Sequence, residues 1–168
     1  MKKSIYMAFA GLVILASACF TSCSKDYGSS TYTNPTPTTS MYTLSGNGSG
    51  SQVVPVVAGS GTSTFSGTYN GSTGVMSYTT TWVNLSGNPT SGSFYYGASG
   101  SNGAVIGTPW TFPTPTGTTA AGSGSLSGSM TLNATQAAEL IGGTVYYILG
   151  TAANASGEVR GQITASVQ

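Results

Sequence analysis

Proton transfer, nucleophilic attack and metal binding each need particular side chains, and this sequence holds few of them. Among its 168 residues four are Lys or Arg, three are Asp or Glu, and none is His. Beyond Asp26 only Glu139, Glu158 and Arg160 are charged. General bases that work near neutral pH are most often histidines, so that route is closed. A carboxylate pair of the glycosidase kind would have to be Glu139 with Glu158, and Glu139 falls in a segment with helical signals that mark it as a solvated surface residue. The glycines come in Gly-Ser runs without the strand, glycine loop and lysine context of a phosphate cradle. Two glutamates without imidazole or thiolate cannot build a zinc or copper site. No catalytic residue, metal or cofactor is therefore expected, and the protein reads as a non-enzyme.

The stretch from Thr151 to Ile163 holds the two charges that lie close together. Asn154-Ala155-Ser156-Gly157 reads as a turn, and Glu158 to Ala165 as the strand after it. Side chains alternate along a strand, so Glu158 and Arg160 are expected on one face and Val159 on the other. Half-buried charges must find partners, which makes Glu158 and Arg160 a structural pair, or a pair bonded to loop backbone, ahead of a ligand site. Aromatic residues supply the remaining candidate chemistry. Tyr95, Trp110 and Phe112, with Tyr146 and Tyr147, could form a platform for a sugar or another protein, the alternative for each being core filling. Tyr95 is the best exposed candidate, because it should point opposite to Phe94 and Tyr96.

The N-terminus reads as an address. Met1-Lys2-Lys3 is a short positive region, and Met7 to Ala18 is an apolar run. A membrane span needs roughly 20 residues, so this run is a signal-peptide core. Phe20-Thr21-Ser22-Cys23 resembles a bacterial lipobox. Residues 1–22 would then be the signal peptide, and Cys23 the acylated first residue of the mature chain, inserted by several acyl chains such as palmitate. Cys19, after Ala16-Ser17-Ala18, is the competing acceptor, and a Cys19–Cys23 disulfide is the other alternative. Cys23 is preferred because the apolar run is complete before it and Ser24-Lys25-Asp26 makes a polar exit. Acylation of Cys23 leaves no free thiol. Residues 23–40 continue as a Ser/Thr/Pro tether, in which Pro35 and Pro37 favour extended backbone that reaches roughly 40 Å.

Residues 41–168 form the domain. Only 4% of the chain is charged, yet 39% is hydrophobic and 10% aromatic, so a core can form although the net charge is only +1. No basic patch exists for nucleic acid. Met41-Tyr42-Thr43-Leu44 reads as a first strand, and Val53-Val54-Pro55-Val56-Val57 as an edge strand or loop because of its proline. Strands are expected at Thr62 to Tyr69, at Val75 to Val83, at Gly92 to Gly97, from Val105, within Gly122 to Leu132, and at Val145 to Leu149. In the second of these, Met76, Tyr78, Thr80 and Trp82 should face the core. Asn70-Gly71 is a hairpin-turn dipeptide, and Asn84-Leu85-Ser86 reads as turn chemistry. Asn133 and Gln136 make a capping box for a two-turn helix that ends at Gly142. About eight short strands with glycine turns imply an all-β fold, an antiparallel β-sandwich of Ig-like or Greek-key type with one short helix.

Four pieces carry a family resemblance: Leu44-Ser45-Gly46 with Gln52-Val53-Val54-Pro55, the hairpin Thr73 to Tyr78, the helix Leu132 to Gly143, and Gly157-Glu158-Val159-Arg160-Gly161-Gln162. Together they resemble the chordin-type (CHRD) domain from roughly Tyr42 to Thr164. In animals that family is known from chordin, an extracellular antagonist of growth-factor ligands, while bacterial members look like secreted or lipid-anchored single domains. Typical members carry a His-x-His-Gly strand and a third His before the Thr-Ala turn. Here Phe94, Tyr96 and Gly150 stand at those positions. The resemblance thus implies a relative that has lost any metal site those histidines form, with the rings of Phe94 and Tyr96 expected to plug the space above Gly150.

The expected protein is a non-enzymatic lipoprotein of a Gram-negative envelope, anchored in the outer membrane through its N-terminal lipid, with an interaction or structural role. Its expected partners are the membrane and an extracellular protein or polysaccharide, and no nucleic acid. The alternatives are a carbohydrate- or protein-binding module that uses exposed aromatics, and a degenerate relative of a metal-binding CHRD protein.

Overall fold

The computed structural model describes residues 40–112 and 122–168. The signal segment, Cys23 and the tether lie outside them.

Strand β1 spans Met41–Ser49 and runs into a 3-10 turn at Gly50–Gln52; β2 is Thr62–Asn70, β3 Val75–Val83, β4 Pro89–Tyr96 and β5 Val105–Ile106. After these come β6 at Gly124–Thr131, helix α1 at Ala134–Ile141, β7 at Val145–Thr151, β8 at Val159–Gln162 and β9 at Thr164–Val167. Every pairing is antiparallel. The order across the sheet is β5-β4-β7-β8-β1-β2-β3-β6, with β9 also paired to β1. The fold is all-β, and its two facing layers are flanks of one curled sheet. Phe65 of β2 stacks on Tyr147 of β7 at 5.5 Å, and Tyr78 of β3 meets Phe94 of β4 edge-on at 4.9 Å.

The alternation expected for β3 is present: Met76, Thr80 and Trp82 are buried, Tyr78 is half-buried, and Ser77 and Thr81 are exposed. All residues of β7 are buried. Tyr147, Leu149 and Val145 face the core, whereas Tyr146 and Ile148 lie under loops on the other side, which is why this strand reads as an unbroken apolar run. The capping box forms as expected, with Asn133 Oδ1 accepting from Gln136 N and Gln136 Oε1 accepting from Asn133 N, each at 2.9 Å.

Some boundaries differ from expectation, and β1 runs on to Ser49 rather than ending at Leu44 before a glycine-serine turn. The last strand is interrupted at Ile163, yet β8 and β9 keep one register on β1, Gly48 opposite Gly161 and Ser45 opposite Thr164, and the Ile163 amide donates to the Val145 carbonyl at 2.9 Å. Strand β4 starts at Pro89 rather than Gly92, because a β-bulge between Pro89 and Ser91 accommodates the proline. The Val53–Val57 segment is a loop, one of the two forms expected for it, and its amides at Val53 and Val57 both donate to the Gly50 carbonyl.

Candidate functional site

The two clustered charges are both buried, and each builds a separate polar centre. Glu158 enters β8 from Gly157, a glycine at φ +137, and its own amide donates to the Leu149 carbonyl at 2.7 Å. Its carboxylate accepts from Ser86 N at 2.6 Å, from Thr151 Oγ1 at 2.6 Å and from Asn154 Nδ2 at 3.4 Å, and also from the Ser86 hydroxyl. The centre therefore ties the loop after β3 to the end of β7 and to the turn before β8. Burial pushes the Glu158 carboxyl up, but these donated hydrogen bonds outweigh it and leave the group below the usual carboxylate range. A carboxylate so held is a weak base with its lone pairs occupied.

Arg160 is fully buried. Its Nη2 donates to Ala98 O at 2.9 Å, to Ser101 O at 3.4 Å and to Gln162 Oε1 at 2.9 Å. The guanidinium carbon lies 3.8 Å from the centre of the Tyr146 ring, close enough for a cation–π contact. Gln162 adds bonds from Nε2 to the carbonyls of Gly97 and Gly143 at 2.9 and 2.8 Å, and Tyr146 Oη accepts from Gly103 N at 3.2 Å. The loop Gly97–Gly103 is thereby fastened over the outer side of β7 and β8. Burial lowers the guanidinium below its ordinary value, partly offset by Tyr146, and a guanidinium remains charged in either case.

Glu158 and Arg160 do not form the expected pair. Their hydrogen-bond partners share no residue. Glu158 lies before the first β8 residue and turns to the Ser86 loop, while Arg160 turns to the loop after β4. Bonding of each to loop groups, the other arm of that expectation, is what the structure contains.

The expected aromatic platform divides in two: Trp110 meets Phe112 at 6.3 Å and Tyr147 at 6.5 Å on the core side, apart from the Tyr95–Tyr146 pair. Trp110 and Phe112 are half-buried against the core, Trp110 edge-on to Phe94 at 4.9 Å and Phe112 edge-on to Trp82 at 5.8 Å. Tyr95 does point away from the buried Phe94, but it is half-buried and stacks on Tyr146 at 5.4 Å. Phe94 lies across from Tyr147, whereas Gly150 lies across from Ser91, three residues further along. The space above Gly150 is taken by the Ser91 hydroxyl and the Ala155 carbonyl, so the expected ring plug is absent. The loop turns back over this strand end and leaves no room for an aromatic side chain.

Among the described residues no three His, Cys, Asp or Glu side chains gather in a way that could hold a metal. A small apolar recess where α1 meets the edge strands is lined by Phe94, Ile106, Met130 and Leu140, and no titratable group lines it. Sequence reading missed Ser86, Thr151 and Asn154 as partners of Glu158. Ser86 is 72 residues distant, and nothing in local spacing announces it.

The family model described as CHRD domain matches residues 44–163, well over half of the chain. Neither a curated protein nor a solved structure matches it.

Proposed function

The chain belongs to the CHRD domain family, and from that premise we propose that it is a lipid-anchored protein of the bacterial envelope whose domain has an interaction or structural role and no catalytic one. The observation that carries the reading is the commitment of the buried Glu158 carboxylate to its own fold. Glu158 receives four bonds from neutral donors; Arg160 gives Nη2 to loop carbonyls and Gln162, while its Nε and Nη1 are buried without a hydrogen-bond partner and its guanidinium lies on the Tyr146 ring. The third charged residue, Glu139, accepts from its helix-end neighbour Thr144. Among the described residues no carboxylate is left poised against a second acid or base.

The anchor rests on the sequence around Cys23. Among the described residues no helix is long and apolar enough to cross a membrane. An acylated Cys23 would hold the domain at the outer membrane of a Gram-negative cell by several inserted chains, each buried methylene adding about 0.8 kcal/mol. The test is cell fractionation of Cys23→Ala. The variant is expected to leave the detergent phase and appear in the soluble envelope fraction. A variant that still partitions wholly with the membrane overturns the anchor.

A further inference from the structure

The outward residues of β9, β1, β2, β3 and β6 fall into transverse ranks, because their ladders keep register across all five strands. One rank runs Thr164, Ser45, Ser66, Thr79 and Ser127. The next runs Ser166, Thr43, Thr68, Ser77 and Ser129. A third runs Asn47, Thr64, Thr81 and Ser125. Asn47 apart, every position is a hydroxyl, and all but the half-buried Thr79 are exposed. Neighbouring hydroxyls bond across strands: Thr64 with Thr81 at 2.5 Å, Thr79 with Ser127 at 2.8 Å and Ser45 with Thr164 at 3.0 Å. Strand geometry sets the array at about 4.8 Å between strands and about 6.8 Å between ranks.

This face carries no charge, where roughly 25–35% of an ordinary surface is charged. It carries no aromatic ring, where protein interfaces enrich them. Its chemistry is that of hydroxyls, each both donor and acceptor, repeated in two directions. A charged ligand would lose solvation here without gaining a counter-charge. One neutral hydrogen bond contributes only about 0.5–1.5 kcal/mol net, so a useful partner must offer many equivalent groups in a row. We infer that this face binds a neutral, hydroxyl-rich polysaccharide, with the ranks bonding its hydroxyls along the repeating chain. The inference rests on the interaction arm of the function proposed above and is independent of the anchor. It replaces aromatic stacking as the mode of recognition, since Trp110 and Phe112 pack against the core.

The test is co-sedimentation of the detergent-solubilised full chain with insoluble neutral glycans (cellulose, curdlan, starch granules, mannan) and with cross-linked alginate as the acidic control. The chain is expected to be retained on at least one neutral glycan and not on alginate. The variant Ser66→Ala/Thr68→Val/Ser77→Ala should weaken that retention about thirty-fold, at about threefold per hydroxyl, with its thermal midpoint kept. Ser66→Lys, a single exposed change, gives a second reading should the triple variant not fold, and is expected to weaken retention likewise. Retention on no neutral glycan, equal retention on alginate, or retention untouched by the face variants overturns the inference. Self-association lost in the face variants without glycan binding, or inhibition of ice recrystallisation alone, overturns it as well. The Cys23→Ala fractionation is unaffected by any of these outcomes.

Discussion

Tyr147 Oη lies 2.9 Å from Ser63 Oγ, a hydrogen bond that crosses the interior from β7 to β2. The ring reaches that far because glycines floor its path. A Cβ at Gly161 would stand 2.5 Å from Tyr147 Cε1, and one at Gly48 would stand 2.9 Å from its Oη. On its other side the ring stacks on Phe65. Burial drives the phenol up to about 12, against a smaller downward pull from the Ser63 bond.

The alkaline limb of stability should follow from this group. An unfolded tyrosine ionises near its ordinary value of 10.0, while the folded Tyr147 holds its proton to about 12. The contribution is thus complete below 10 and is lost as pH rises through 12. Burial raises Tyr78 and Tyr95 as well, so the decline belongs in part to them. Tyr147→Phe should cost about 1–3 kcal/mol at neutral pH, because Ser63 is left buried without a partner. It should also flatten the fall in denaturation midpoint between about pH 10 and 12. Equal slopes in wild type and variant would show that Tyr147 is not the group.

Gly161→Ala should destabilise by about 1–3 kcal/mol through overpacking. The intruding methyl meets Cε1, Cζ and Oη of Tyr147 within 2.6 Å, and the ring is pinned from behind by Phe65. Gly87 is the control, since nothing lies within 4 Å of a Cβ added there. Urea titrations should separate the two by at least about 1 kcal/mol, and equal midpoints would refute the glycine floor.

Much of the fold was legible because β2, β3 and β6 alternate at period 2 and because Asn133 and Gln136 stand at capping-box spacing. The break at Ile163 was not. Residues 158–165 alternate as one strand would, and β8 and β9 do keep a single register on β1 across that short interruption. For Glu158 and Arg160 the sequence left a mutual pair and bonding to loop backbone both open, and the structure holds the loop bonding. Proximity in sequence suggests pairing, but the partners that win, Ser86 for one and Ala98 for the other, lie 72 and 62 residues distant. The hydroxyl ranks were half legible: Ser77, Thr79 and Thr81 mark a polar face of β3, but register across the neighbouring strands is tertiary information.

Glu158 should govern the acid limb. Its folded carboxyl sits below its ordinary value of 4.5, so the ionised form is favoured by folding. Its contribution is present above 4.5 and lost as pH falls through the depressed folded value. Glu158→Gln keeps the size but turns an amide NH2 toward the donors of Ser86 and Thr151, at a cost of about 1–3 kcal/mol at neutral pH. The variant's midpoint should change less than the wild type's between about pH 5 and 3. Chemical denaturation across that range decides the matter, and parallel curves would remove Glu158 from the account.

Arg160 should hold the loop Gly97–Gly103 rather than the sheet itself. Arg160→Ala removes the donor to Ala98, Ser101 and Gln162 and uncovers the Tyr146 ring. Bonds to a charged group contribute about 1.5–3 kcal/mol, so a loss of about 2–3 kcal/mol is expected, with the loop affected before the ladders. Arg160→Lys keeps the charge but lacks the planar fork that bonds and stacks at once, and should fall between wild type and Arg160→Ala. Amide exchange distinguishes loop from sheet. Exchange of Gly103 N, which donates to Tyr146 Oη, should accelerate in Arg160→Ala, while amides of β2 and β3 should slow or quicken only with global stability. If Gly103 exchanges no faster relative to β2 than in the wild type, the guanidinium is not what fastens the loop.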